Sequence, residues 1–167
     1  LPAGSYTAII TKGKDSFEHS FDLIYDPKST IAMSDRKLKQ EKVMELYNMI
    51  EALAYDVYCV DEYLAYAQRE KNSKLSGKLN ALKETMVITT GDNYVGAAEP
   101  QLRENMTSLF QRIENNYGAP TPNEIDNLQK IGERNIRVQE ELNNLKKKYK
   151  LVKRVEMKTV EQFLKSN

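Results

Sequence analysis

The stretch that decides the fold is residues 43–67, VMELYNMIEALAYDVYCVDEYLAYA. Apolar residues recur in it with a seven-residue period, and a second set follows three positions after the first. The first set is Val43, Ile50, Val57 and Leu64, and the second set is Leu46, Leu53, Val60 and Ala67. This is an a/d heptad pattern sustained for about four heptads, so it predicts one long helix with a continuous apolar seam.

The same helix extends beyond the quoted stretch on both sides. Ser34 is the predicted N-cap, and the helix can continue to about Asn72, a length of roughly 57 Å at 1.5 Å per residue. A shorter second helix follows from the apolar stripe of residues 75–86 and gives way to the loop sequence TTGDNYVG, residues 89–96. The long helix is therefore expected to be the spine of the fold.

Two further helices and a short last one are predicted downstream. Pro100 suits the first turn of the third helix. That helix is expected to end at residues 116–118, where Gly118 can supply the left-handed C-terminal residue. The fourth helix begins with a capping box, in which Thr121 is the N-cap and Glu124 lies at N3. Its stripe is Ile125, Leu128, Ile131, Val138, Leu142, Leu145 and Tyr149. Residues 159–165 predict a short helix that closes one end.

Together these segments predict a mainly α fold. Long helices joined by short connections pack antiparallel. We therefore expect an antiparallel bundle of three to four long helices plus a short C-terminal helix. The number of legs is three if the second and third helices act as one interrupted leg, and four if they do not.

The N-terminal residues have a different pattern, typical of a β-hairpin. Residues 6–11 and 17–25 are rich in β-branched and aromatic residues, and KGKD between them is a turn sequence with Gly13 able to take a positive φ. A lone two-stranded hairpin is marginal in water. Either it docks on the helices, or it is the last hairpin of a β-sandwich. The turn-like opening LPAG favours the expectation that the chain is a piece of a longer one.

The sequence therefore divides into three parts. Residues 1–27 are the predicted hairpin, which in the second alternative is the remnant of a β-sandwich; the family resemblance given below implies that this sandwich is immunoglobulin-like. Pro27 ends the strand because it has no N–H to donate to the sheet. Residues 28–33 are a linker, and residues 34–167 form the helical bundle domain.

Composition excludes several classes of function. The net charge is +1, from 25 basic and 24 acidic residues, so no global field recruits nucleic acid or an anionic membrane. One cysteine and one histidine exclude a disulfide scaffold and a Cys/His zinc site. No apolar run approaches the roughly 20 residues that span a bilayer. We expect no nucleic-acid partner, no membrane span, no metal and no cofactor.

No residue pattern predicts catalysis. His19 is the sole conventional general base, but no nucleophile motif accompanies it, and it is interpreted as an ordinary interface histidine. Paired carboxylates such as Asp61 and Glu62 are adjacent on a helix, so their side chains diverge. The basic run of residues 146–154 is interpreted as the solvated end of a helix, favoured by the helix dipole. The chain by itself is therefore expected not to be an enzyme.

One surface is predicted to be an interface. Between Leu53 and Ala67 the long helix is apolar or aromatic on nearly every side, and such a helix is normally buried all round. The residues that lie off the heptad seam are Tyr55, Tyr58, Cys59, Tyr63 and Tyr66, here called the tyrosine face. It is expected either to dock against the β module or a partner chain, with self-association through this helix as one form, or to be buried by the bundle's own helices.

In order, these segments resemble a known family. The residues that carry the resemblance are LPAGSYTAII, FDLIYDPKS, the heptad helix, YGAPTPNEIDNL and ELNNLKKKYKLVKRVEMKTVEQFLK. They look like the C-terminal region of large bacterial proteins built on sortilin-type, Asp-box (BNR) β-propellers, often labelled glycosyl-hydrolase-like and common in Bacteroidetes. In that family an immunoglobulin-like sandwich precedes a helical C-terminal domain through a DPR or DPK linker, here Asp26-Pro27-Lys28.

The resemblance implies export to the periplasm or cell surface and upstream domains of the same parent chain as partners. It transfers no catalytic residue, because the propeller is not part of this sequence. We expect a non-catalytic structural or interaction module of a larger secreted or envelope protein. The alternatives are a scaffold or binding part of a glycan-processing enzyme whose active site lies upstream, and a stand-alone helical adaptor.

Overall fold

The computed structural model describes residues 2–89 and 99–166. Its elements, in chain order, are the strands β1 (Gly4–Lys12) and β2 (Asp15–Leu23), the helices α1 (Met33–Arg69), α2 (Ser73–Met86), α3 (Leu102–Asn115) and α4 (Pro122–Lys148), a 3-10 turn (Leu151–Lys153) and the helix α5 (Val160–Ser166). The mainly α fold with an N-terminal hairpin is confirmed. The predicted loop TTGDNYVG lies almost entirely outside the described residues.

Helix α1 is the spine, as its heptad pattern predicts, and its 37 residues extend about 55 Å. The second apolar set is fully buried, with Leu46, Leu53, Val60 and Ala67 each at most 1 % exposed. The first set is less buried, since Val43, Ile50 and Val57 lie at the margin of the core. The core is therefore centred on one of the two heptad rows.

Helices α2 and α3 follow one another along α1 and together take the place of one long helix. The bundle therefore corresponds to the alternative with three long helices, one of them interrupted. Lys83 of α2 pairs with Asp61 on the C-terminal half of α1. Lys39, on the N-terminal half of α1, donates to the carbonyl of Glu114 at the end of α3. The two contacts lie about 33 Å apart along α1. The legs α1 and α4 thus run in one direction, and the leg made of α2 and α3 runs in the other.

Helix α4 begins as the sequence predicts. The Thr121 side chain accepts from the backbone N–H of Glu124, and the Glu124 carboxylate accepts from the backbone N–H of Thr121, with Pro122 at N1. The N–H groups in the first turn of a helix have no partner within the helix, and this exchange satisfies two of them. The remaining stripe then packs from Leu128 to Leu145 into the core.

Three predicted helix boundaries are wrong by a few residues. Helix α1 begins at Met33 after Ala32, so Ser34 lies inside the first turn and is not the N-cap. Helix α3 begins at Leu102, because Gln101 and Glu104 form a capping box two residues after Pro100. Gly118 does not adopt the left-handed conformation, which among the described glycines is found at Gly13 alone.

The hairpin is regular and almost entirely exposed. Strands β1 and β2 pair antiparallel along nine residue pairs, from Gly4 opposite Leu23 to Lys12 opposite Asp15. Gly13 has φ +64°, as the two-residue turn requires. The hairpin does not lie on the bundle core, and none of its strand residues is buried.

Candidate interaction surfaces

The tyrosine face is covered by the chain's own residues. Cys59 and Tyr63 are each 2 % exposed and belong to the bundle core. Tyr55, Tyr58 and Tyr66 are half-buried and pack against that core. Burial by the chain itself therefore accounts for this face. An interface with a partner chain through the same tyrosines stays a prediction.

The segment after α4 provides most of the cover over the outer tyrosines. The Phe163 ring of α5 stacks on Tyr58 and meets Tyr55 edge to face, with centroids 5.1 and 5.7 Å away. The Tyr55 hydroxyl donates to the carbonyl of Lys158 at 2.9 Å, and the Tyr58 hydroxyl accepts from the Lys158 N–H at 3.1 Å. The segment is thus fixed by aromatic stacking and by both hydroxyls.

Burial changes the acid–base chemistry of the inner residues. It raises the pKa of the Cys59 thiol, an effect that nearby Lys146 partly opposes. It also raises the pKa of Tyr63 to about 12. A thiol with a raised pKa carries little thiolate at neutral pH, so Cys59 is a packing residue and a poor nucleophile.

The hairpin carries an apolar surface that nothing in the described part of the chain covers. On one side of the sheet lie Tyr6, Ala8 and Ile10 of β1, opposite Phe21, His19 and Phe17 of β2, here called the hairpin face. Ile10 is 67 % exposed, Phe17 64 % and Phe21 42 %. Adjacent exposed aromatic and branched side chains of this kind mark an interaction site.

The opposite side of the hairpin is polar apart from Ile9, which is 61 % exposed. Ser5 donates to Asp22 at 2.6 Å, and the Thr7 and Ser20 hydroxyls are 3.1 Å apart. Antiparallel sheets with one buried and one solvated side show this division between apolar and polar residues. The hairpin face is therefore the side that corresponds to the buried side of such a sheet.

His19, the single candidate base, lies on the hairpin face opposite Ala8 and is exposed. Among the described residues, no Ser, Cys or carboxylate forms a hydrogen bond with it. Its neighbours along the strand on this face are Phe17 and Phe21. The structure therefore places it within an apolar surface, and its interpretation as an interface residue stays a prediction.

The joint between hairpin and bundle is built around Arg36 of α1. Its guanidinium lies over the Tyr25 ring, 4.1 Å from the centroid, and also bonds the Ser29 hydroxyl and, at 3.4 Å, the Ile31 carbonyl. Asp26 closes the linker turn by accepting from the N–H of Lys28 and of Ser29. The Asp26-Pro27-Lys28 linker thus has a defined conformation and is held on α1.

An apolar groove continues the exposed surface at this joint. It has a volume of about 600 Å³ and is lined by the hairpin base and the start of α1, including Tyr25, Met33 and Met44. Met33 is 65 % exposed and Met44 42 %. A partner on the hairpin face can therefore extend its contact onto α1. Sequence reasoning missed these methionines, because Met33 and Met44 lie off the heptad seam.

Within residues 2–89 and 99–166, no cluster of His, Cys, Asp and Glu side chains is arranged to hold a metal ion. None of the described helices is long and apolar enough to cross a membrane. Comparisons of the chain with protein families, with characterised proteins and with solved structures find no match.

Proposed function

We propose that the chain is a non-catalytic interaction module, and that its hairpin face packs against a β-sheet domain of the same parent protein. The observation that carries the proposal is the hairpin face itself, with Phe17 and Ile10 about two-thirds exposed beside a closed helical core. Apolar area transfers from water with about 25 cal/mol per Å², so covering three such side chains is favourable.

The geometry of the hairpin favours a sheet as the partner. A two-stranded hairpin is marginal alone and is stabilised by a further strand or a packed layer. An aligned second sheet packs about 10 Å away and inserts its side chains between those of the first. The side chains of Tyr6, Ile10, Phe17 and Phe21 alternate along the strands in the way such a packing uses. This arrangement accords with the immunoglobulin-like sandwich that the sequence resemblance implies.

The same resemblance is the basis for proposing that the parent protein is exported to the periplasm or cell surface. In this proposal the contacts of Arg36 hold the helical bundle at a fixed angle to the hairpin. A defined linker turn and a guanidinium stacked on Tyr25 restrict the motion between the two parts.

Site-specific photo-crosslinking in the natural full-length protein tests the proposal. A benzophenone amino acid at position 17 is expected to crosslink within the same polypeptide, to a β-sheet domain. The matched control is the same amino acid at position 18, whose side chain points to the polar side of the sheet. Equal crosslinking at both positions, crosslinks only between two copies, or a parent protein without another β domain would contradict the proposal.

A further inference from the structure

The end of α4 folds into a concave cluster of lysines. After Lys148 the chain turns at Lys150, whose φ of 54° and ψ of 37° are left-handed, and continues into the 3-10 turn Leu151–Lys153. Leu151 is fully buried and fixes this turn to the core. The result is an open cavity of about 430 Å³ lined by Asn143, Lys146, Lys147, Lys150, Val152 and Lys153. Lysines that follow one another closely in the sequence thus surround one cavity.

The local charge is strongly positive. Residues 142–155 contain five lysines, one arginine and no acidic residue, in a chain whose net charge is +1. Two of the six cations have protein partners. Arg154 donates to the Tyr66 hydroxyl at 3.0 Å, and Lys146 faces the half-buried carboxylate of Asp56.

The other three lysines that line the cavity lack such partners. Lys147, Lys150 and Lys153 make no ion pair and no side-chain hydrogen bond within the described part of the chain. A lysine on a helix is stabilised by an acidic residue four positions before it. Neither Lys147 nor Lys150 has one, because the residues at those positions are Asn143 and Lys146. Their positive charges are therefore not neutralised by the fold.

The helix dipole accounts for only part of the cluster. It favours cations in the last turn of a helix, which covers Lys146, Lys147 and Lys148. Lys150 and Lys153 lie beyond the helix end, and Lys150 takes a backbone conformation that costs a non-glycine residue free energy. Like charges gathered around one concave space attract an ion of opposite charge.

We propose that this cavity, here called the lysine cavity, binds an anion that carries more than one phosphate group. Ammonium groups bind phosphate oxygens by charge-assisted hydrogen bonds. Three unpaired ammonium groups carry a charge of +3, which exceeds the charge of about −1.5 to −2 on one phosphate group at pH 7, so a ligand with several phosphates balances them better. The phosphates can belong to a soluble molecule or to the headgroups of an anionic lipid surface, beside which Val152, 70 % exposed, would lie.

Titration of the 167-residue chain with two probes distinguishes these sources. The soluble probe is inositol hexakisphosphate, followed by isothermal titration calorimetry and by the chemical shift of the Val152 amide. The surface probe is phosphatidylglycerol vesicles, compared with phosphatidylcholine vesicles in sedimentation. Binding of either anionic probe supports the proposal, and which of them binds identifies the source. Binding is expected to weaken as the salt concentration rises from 50 to 200 mM.

Lysine substitutions decide whether the cavity is the site. The triple variant K147Q/K150Q/K153Q is expected to bind at least tenfold more weakly. The matched control K12Q/K14Q/K28Q removes the same charge from exposed lysines of the hairpin and linker, and its affinity is expected to stay within twofold. If the triple variant does not fold, the single variant K153Q replaces it in this test. We expect K153Q to weaken binding at least threefold.

Two results would overturn the proposal. One is that neither probe binds at 1 mM in low salt. The other is that the cavity variants bind as tightly as the parent chain, or that the hairpin control loses as much affinity as they do. Because removal of like charges relieves repulsion, the melting temperature of the triple variant without ligand is expected to equal or exceed that of the parent.

Discussion

The rings of Tyr58 and Phe163 stack with centroids 5.1 Å apart and an interplanar angle of 27°. This contact joins the C-terminal half of α1 to the short helix α5. Helix α5 has only seven residues and contains no buried residue, so it is too short to be stable by itself. Its position on α1 therefore depends on Phe163 and on the hydrogen bonds of Lys158.

Substitution of Phe163 by alanine is expected to release α5. Loss of two aromatic contacts at a half-buried site should lower the free energy of unfolding by about 1–2 kcal/mol. Hydrogen exchange by mass spectrometry should show faster exchange in residues 157–166, with α2 and α3 unchanged. The control is Leu164→Ala, since Leu164 is a neighbour on the same short helix, is 41 % exposed, and has no ring to stack on Tyr55 and Tyr58. Equal effects of the two variants would refute the role given to Phe163.

The stability of the domain is expected to fall at alkaline pH through Cys59. Its folded pKa is raised above the unfolded value of about 8.5, so below that pH both states hold the proton. Above it the unfolded thiol ionises first, and stability decreases by at most about 1.4 kcal/mol per pH unit. Tyr63, with a folded pKa of about 12, adds a loss of the same sign above pH of about 10.

Urea unfolding between pH 7.5 and 9.8 measures this dependence. Cys59→Ala is expected to be less stable at every pH because it leaves a small cavity, but its stability should decline less steeply above pH 8.5. A decline equally steep in the variant and the parent would show that other groups cause it. Tyr63→Phe offers the corresponding comparison above pH 10.

The capping box of α4 is expected to contribute measurably to stability. Thr121→Ala removes the side-chain acceptor of the Glu124 N–H and should cost about 1 kcal/mol. Thr107→Ala is the matched control, because Thr107 lies within α3, is exposed, and bonds only the Arg103 carbonyl of its own helix. Alanine is the better helix former there, so the control should be neutral or stabilising. Thermal unfolding followed by circular dichroism provides both values.

Lys39 is expected to hold the end of α3 against α1. Its ammonium group donates to the carbonyls of Glu114 and Asn116, which the helix leaves without partners. Lys39→Met should lower the free energy of unfolding by about 1 kcal/mol. In contrast, Lys42→Met breaks a surface pair with Glu45 on the same helix and should change stability by less than about 0.5 kcal/mol. Urea titration of both variants is sufficient, and similar losses would argue against a capping role.

The sequence by itself determined the helices and strands of this fold and, for α4, the residue at which the helix begins. The heptads of α1, the Thr121 capping box and the hairpin turn at Gly13 each depend on neighbours within a few residues, so local physical chemistry is enough to predict them. The same holds for the short last helix, where the Thr159 hydroxyl accepts from the Gln162 N–H. Two helix starts differ from the prediction. The N-cap of α1 is Ala32 and not Ser34, and α3 begins after Gln101 and not at Pro100.

Only the tertiary structure decided which surfaces are covered. The sequence left open whether the tyrosine face meets a partner or is buried by the chain itself; the chain's own C-terminal segment lies on it, while the hairpin face stays open. The pattern of side chains in the sequence shows that a surface is apolar, but it does not show which distant segment of the chain packs on that surface. The lysine cavity shows the same limit, because a left-handed turn at Lys150 and the burial of Leu151 bring together charges that the sequence presents as one linear run.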